Sequence, residues 1–289
     1  MLEIFKDILI DALIDTAKLL PFLFITYLIM EYIEHKMTEK SKTTIQKAGR
    51  LGPLFGGLVG VVPQCGFSAS ATNLYAGRVI TLGTLIAVYL STSDEMLPVL
   101  ISERVPISTI IKVLLIKLVI GIIAGFIIDF ILRLVKKEKV EKQHIEEICD
   151  HEHCHCDKDG IFKSAVKHTL SILAYIFIIT LVINGIVEFV GEETIENFIG
   201  NHTIIGPVVS SLVGLIPNCA ASVVITNLYV KNIINGASMI AGLLTGAGVG
   251  LIVLFKMNKN IKENIGIVAL IYGIGVLSGI LLQLSGVVI

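Results

Sequence analysis

Two cysteines occupy matching turns of this chain. Cys65 lies in Pro63-Gln64-Cys65-Gly66 and Cys219 in Pro217-Asn218-Cys219-Ala220. Each thiol follows an amide side chain, Gln64 or Asn218. Each precedes a serine, Ser68 or Ser222, and then an asparagine, Asn73 or Asn227. Thiols select soft ions such as Cu(I), Zn and, by the same softness, trivalent arsenic, whereas amide oxygens suit Mn and other harder ions. A single cysteine is more often a small buried hydrophobe, but two at equivalent turns point to a shared task. Ser68 and Ser222 are expected to cap the helices that follow the turns. A second group is the run Ser91-Thr92-Ser93-Asp94-Glu95, set inside an apolar stretch. Carboxylates within a membrane segment serve as cation ligands or proton carriers. Asp94 and Glu95, with Asn73 and Asn227, would suit Mn or another harder divalent ion. The bland alternative is a carboxylate near the interface, paired with a residue such as Arg104.

A third group is His144, Cys149, His151, His153, Cys154, His155 and Cys156, in the stretch HIEEICDHEHCHCD. These borderline-soft ligands suit Zn, Ni, Co or Cu better than Ca or Mg. The spacing is not that of a zinc finger. It reads as a flexible loop that gathers a transition-metal ion; no tightly bound cofactor is expected elsewhere.

The elements that position these groups are apolar. Of 289 residues 54% are hydrophobic and only 16% charged, with net charge −1, against about 25% charged in an ordinary soluble domain. Apolar runs of membrane-spanning length, about 20 residues, recur along the chain. The expected partners are therefore a lipid bilayer and an ion, and no nucleic-acid-binding signature is present. The cysteine pattern suggests reduced thiols or metal ligands rather than a disulfide framework.

The chain is duplicated. Residues 52–76, GPLFGGLVGVVPQCGFSASATNLYA, align without a gap to residues 206–230, GPVVSSLVGLIPNCAASVVITNLYV. Shared composition would explain matching Leu and Ile, but not Pro-x-Cys and Thr-Asn-Leu-Tyr in register. Spans are expected at 8–33, 79–101 and 107–135, and again at 162–190, 233–255 and 261–289. Between them lie two segments, 51–77 and 206–230, that a single helix cannot cross because of the proline at each centre. Each reads as two half-helices joined at a turn, either re-entrant or as two short spans. Gly121 and Gly125, repeated as Gly275 and Gly279, have the G-x-x-x-G spacing of close helix packing. They permit contacts within the chain or a homodimer.

Loop charge is opposite in the two halves. Residues 36–50 carry Lys36, Lys40, Lys42, Lys47 and Arg50, whereas 191–205 carry Glu192, Glu193 and Glu196 and no Lys or Arg. By the positive-inside rule the halves insert upside down relative to each other. The expectation is an all-α polytopic protein of the cytoplasmic membrane built from two inverted-topology repeats, each with a Pro-x-Cys broken-helix hairpin. Residues 1–135 form the first repeat, 136–160 the cytoplasmic His/Cys loop and 161–289 the second repeat. Both termini are expected outside. Inverted repeats with broken helices are the mark of transporters. No HExxH or GxSxG pattern occurs, so no enzyme is expected, and without GxxxxGK[ST] the energy would come from an ion gradient or a separate ATPase.

The segments GLVGVVPQCGFSASATNLYAGRVITLGTLIAVYLSTSDEMLPVL, GLIPNCAASVVITNLY and AGLLTGAGVGLIVLFKMNKNIKEN resemble the ten-span heavy-metal exporters of prokaryotes. Members are labelled as arsenic efflux proteins or as manganese transporters. The Pro-x-Cys turns also loosely resemble those of the organoarsenical permeases. The resemblance covers nearly the whole chain outside its first residues and the His/Cys loop. It implies secondary active export of a heavy-metal or metalloid ion, of arsenic type or a soft divalent metal. The alternatives are a manganese or divalent-cation exporter using Asp94, Glu95, Asn73 and Asn227, and, in another class, a membrane metal sensor or passive channel.

Overall fold

The computed structural model describes residues 2–36, 49–135, 161–190 and 205–286. The His/Cys loop and the loop at 191–204 lie outside the described residues. Twelve α-helices and one 3-10 turn, with no strand, make up the described secondary structure. Six helices come from each half: α1 Leu2–Lys36, α2 Gly52–Gly60, α3 Gly66–Ala76, α4 Leu82–Ser91, α5 Met96–Ser102 and α6 Ile107–Val135; then α7 Ile161–Val190, α8 Gly206–Gly214, α9 Cys219–Val230, α10 Gly236–Thr245, α11 Val249–Met257 and α12 Ile261–Leu284.

Residue type explains the order of long and short pieces. Pro53 and Pro207 sit in the first turns of α2 and α8, where the missing N–H costs nothing. Pro63 and Pro217 fall in the gaps after these helices, where each would otherwise remove a ladder bond. Helix α2 has nine residues, about 13 Å at 1.5 Å per residue, far short of a membrane crossing of about 30 Å.

The segment 79–101, expected as one span, is two helices. Helix α4 ends at Ser91 and α5 starts at Met96. The chain turns at Thr92–Glu95, with Asp94 at a φ of 29°. Its counterpart, also expected to be continuous, breaks too: α10 ends at Thr245 and α11 starts at Val249. Gly248 there has φ 52° and ψ −136°, a conformation that only glycine adopts without strain.

These two broken spans form the centre. Most residues of 82–102 and 236–257 are buried, whereas most residues of α6 and α12 are not. Helix α6 turns Ile111, Leu115, Val119, Ile123, Phe126 and Phe130 outward, a stripe for lipid. Its other face packs on α4 through the glycine pair. A Cβ added at Gly125 would lie 2.5 Å from the Gly83 carbonyl, and one at Gly121 would lie 3.0 Å from that of Ala87. Gly275 and Gly279 pack the same way on α10, against the Ala241 and Ala237 carbonyls. The glycines thus serve contacts within the chain.

Packing between the halves is reciprocal. Helix α3 lies on α11, and α9 on α5; α1 pairs with α7, and α4 meets α10. Leu19, Leu23 and Tyr27 of α1 pack with Ala165, Ile172, Leu173 and Ile176 of α7 in one buried cluster. A larger cluster joins Leu85, Tyr89 and Leu90 to Ile240, Leu244 and Leu251.

Candidate functional site

The two central breaks face each other. Asp94 is 5% exposed, and neither carboxylate oxygen has a hydrogen-bond partner. Its Oδ2 would be 3.0 Å from a Cβ at Gly248. So the aspartate of the first break points at the glycine of the second. Burying a polar group without a partner costs free energy, and far more for a charge, which makes this carboxylate the least satisfied group of the centre.

Lys117 of α6, 1% exposed, reaches the same place. Its Nζ donates to the Thr92 carbonyl at the first break and, at 2.8 Å, to the Leu243 carbonyl near the end of α10. Its charge acts on Asp94 without a hydrogen bond between them. The pattern of 107–135 is that of an apolar span with a glycine pair, and Lys117 is its one buried cation. The signal was there: a cation well inside an apolar run is functional by default.

The other expected site residues divide into two sets. Ser68 lies against Gly250 in α11, and Ser222 lies 3.4 Å from a Cβ built at Gly246. Both serines therefore line the second broken span. Ser68 does not cap α3: its hydroxyl donates to the Cys65 carbonyl at 2.8 Å, because it sits one turn inside the helix rather than ahead of it. Nor is Ser222 a cap, since Asn218 precedes α9 and accepts from Ala220 N at 3.4 Å. Cys65 and Cys219 are buried in one apolar cluster with Val249 and Val253 of α11 and the α1–α7 pair. The Cys65 thiol donates to Gln64 Oε1 at 3.6 Å. The two cysteines are not joined in a disulfide.

Asn73 is fully buried two turns along α3. Its Oδ1 accepts from the Tyr27 hydroxyl at 3.0 Å, while its Nδ2 has no partner. Tyr27 stacks on His168 of α7, with ring centroids 5.4 Å apart. Asn227, at the equivalent position, is half-buried. Glu95 does not share the burial of Asp94; it is more than a third exposed and lies 3.9 Å from Lys18 of α1. Arg104, the partner considered for the carboxylates, is exposed and does not pair with Asp94.

Two further features bound the chemistry. Among the described residues no three His, Cys, Asp or Glu side chains converge on one point, so the centre offers one carboxylate and backbone oxygens rather than a ligand cage. An apolar cleft of about 310 Å³ beside Pro217, lined by Tyr175, Leu215, Leu251, Phe255 and Val268, has no carboxylate in its lining.

No curated protein and no solved structure matches this chain. Residues 2–190 match a family described as "Putative, 10TM heavy-metal exporter". That match spans well over half of the 289 residues, and the chain belongs to this family of ten-span heavy-metal exporters.

Proposed function

We propose that the protein exports a heavy-metal ion across the cytoplasmic membrane as a secondary transporter, with the ion passing between the two broken spans at Asp94. The observation that carries this is the carboxylate itself: buried, without a hydrogen-bond partner, and set where two helix breaks meet. Broken helices present backbone carbonyls in the low-dielectric interior, where they can replace the hydration shell of an ion.

The reading includes two inverted repeats, with the Pro-x-Cys segments as broken-helix hairpins flanking the path. It is supported by the duplication, the opposite loop charges and the reciprocal packing of α3 on α11 and α9 on α5. Six long apolar segments and the four short helices α2, α3, α8 and α9 together give ten apolar pieces. In this reading both termini lie outside, and the 136–160 loop lies inside, where its seven His and Cys residues collect a transition-metal ion for the path.

Between the two ligand chemistries, the side chains favour oxygen. Both Asp94 carboxylate oxygens are unpartnered, whereas Cys65 already bonds Gln64 and packs among apolar groups. A divalent cation of borderline or hard character, such as Mn or Zn, fits this better than a thiol-bound metalloid.

The test is uptake into inverted membrane vesicles, with Mn(II), Zn(II) and arsenite supplied separately. Asp94→Asn should abolish accumulation of the transported ion, and Cys65→Ser/Cys219→Ser should keep most of it. Loss of arsenite uptake in the cysteine variant alone would move the site to the thiols. No uptake of any of the three by the wild type would remove the exporter reading.

A further inference from the structure

We infer that the Lys117 ammonium is a resident competitor for the cation site, and that a metal ion binds at Asp94 by displacing it. The inference rests on the proposed ion path. It adds what that path does without its metal.

The geometry of Lys117 is that of a bound cation. Its Nζ takes the Thr92 carbonyl at the first break and the Leu243 carbonyl in the last turn of α10, with Asp94 as the counter-charge close by. Two carbonyls at the ammonium and a carboxylate within reach of its charge are the oxygen types that a positive ion takes. A lysine fills that place without cost in metal, because its ammonium is a compact point charge on a flexible stem. A metal ion and an ammonium cannot occupy neighbouring places in a low-dielectric interior without strong repulsion. Entry of one therefore requires the other to withdraw.

A purely structural strap would look different. It would pair Lys117 directly with Asp94, leaving no oxygen unpartnered. Instead both Asp94 oxygens are without hydrogen bonds while the ammonium spends its bonds on neutral carbonyls. The groups facing Lys117 are few: α10 carries no titratable side chain, and α4 contributes only Tyr89, which bonds Thr72 and the Gly250 carbonyl. Asp94 is thus the anion that a competing cation and Lys117 would share. Ile271 stands at the position equivalent to Lys117 in the second half, so the competitor is single.

The experiment is equilibrium binding of radioactive Mn(II) and Zn(II) to the purified full-length protein in detergent. All samples carry alanine or serine at the seven loop ligands, so that only the core is counted. Lys117→Met and Lys117→Gln each remove the charge, and both are checked for monodispersity and melting temperature. The expected result is binding at least tenfold tighter than in the unaltered core for whichever neutral variant folds. Adding Asp94→Asn to it should return binding to the unaltered level or below. Neutral variants that fold and bind no tighter, while Asp94→Asn alone weakens binding, would overturn the competitor role and leave the ion path standing. Asp94→Asn without effect on binding would overturn both.

Discussion

Replacing Gly248 by alanine tests whether the two breaks meet as described. Two costs can be worked from the structure. The first is conformational: at φ 52° and ψ −136° an L-residue occupies backbone space that costs about 1–3 kcal/mol. The second is contact: the new methyl would stand 3.0 Å from Asp94 Oδ2, so the carboxylate must give by a few tenths of an ångström. The variant should therefore lose about 1–3 kcal/mol of stability and shift Asp94, with metal uptake falling along with it. The assay is thermal unfolding of the detergent-purified chain, beside vesicle uptake. Gly266→Ala and Gly273→Ala are the controls. Both lie in α12 with nothing within 4 Å of the added methyl, and each should be neutral or stabilising by about 0.5–1 kcal/mol. The decisive comparison is a double-mutant cycle with Asp94→Ala, because groups in contact couple and distant ones add. If alanine at 248 costs the same with and without the Asp94 carboxylate, the breaks do not touch. If it costs nothing at all, the strained turn is not there.

Three other perturbations follow from the packing. Asp129 accepts from Thr81 Oγ1 at 2.7 Å and Gly83 N at 2.9 Å at the start of α4; Asp129→Ala should cost about 1–3 kcal/mol by orphaning a buried N–H, with Asp129→Asn milder, both read by melting. Arg78 bonds Glu263 of the other half at 3.1 and 3.4 Å, and the Tyr75 hydroxyl also donates to Glu263. Both charged side chains are about a quarter exposed, so a cycle of Arg78→Ala and Glu263→Ala should give a coupling of only about 0.5–1 kcal/mol, fading with salt. Gly125→Val meets the Gly83 carbonyl and Pro53 Cβ, at 2.5 and 2.8 Å from the first added carbon; size-exclusion chromatography should show loss of monodisperse protein, and likewise for Gly279→Val.

Much of the scaffold was legible because the signals were local. Proline in the interior of an apolar run disfavours a continuous helix, and Pro63 and Pro217 fall in breaks, whereas Pro21 is carried within α1. Glycines at four-residue spacing allow close backbone approach, and Gly121 and Gly125 lie under α4. Asp94 stood out because a carboxylate in that setting is rare. The break at Gly246–Gly248 was not legible. Leu-Leu-Thr-Gly-Ala-Gly-Val-Gly keeps the hydropathy of a span, and which of its glycines takes the positive φ of the break, Gly248, is not written in the pattern. Lys117 was overlooked for a related reason: a single lysine barely lowers the hydropathy of a 29-residue helix, and only the fold reveals that its ammonium ends between the two breaks. Ser68 was misread because sequence spacing does not fix where a helix begins; α3 starts two residues earlier, at Gly66.

The duplication also explains why the charges could not stay symmetric. Packing is repeated almost pair for pair: α4 on α6 as α10 on α12, α2 on α4 as α8 on α10. The charged groups are not repeated, since Asp94 is matched by Gly248 and Lys117 by Ile271. Geometry disfavours the symmetric alternative. A side chain at 248 would begin 3.0 Å from Asp94 Oδ2, so an aspartate there would set two carboxylates against each other in a buried space, where like charges are strongly disfavoured. A lysine at 271 would put a second ammonium into the buried apolar cluster where Ile271 sits, a costly place for a charge. One half must therefore carry the charge and the other must yield space and backbone oxygens. A duplicated protein with its breaks face to face can build one charged centre only by diverging at these positions, and Asp94/Gly248 and Lys117/Ile271 are where this chain diverges.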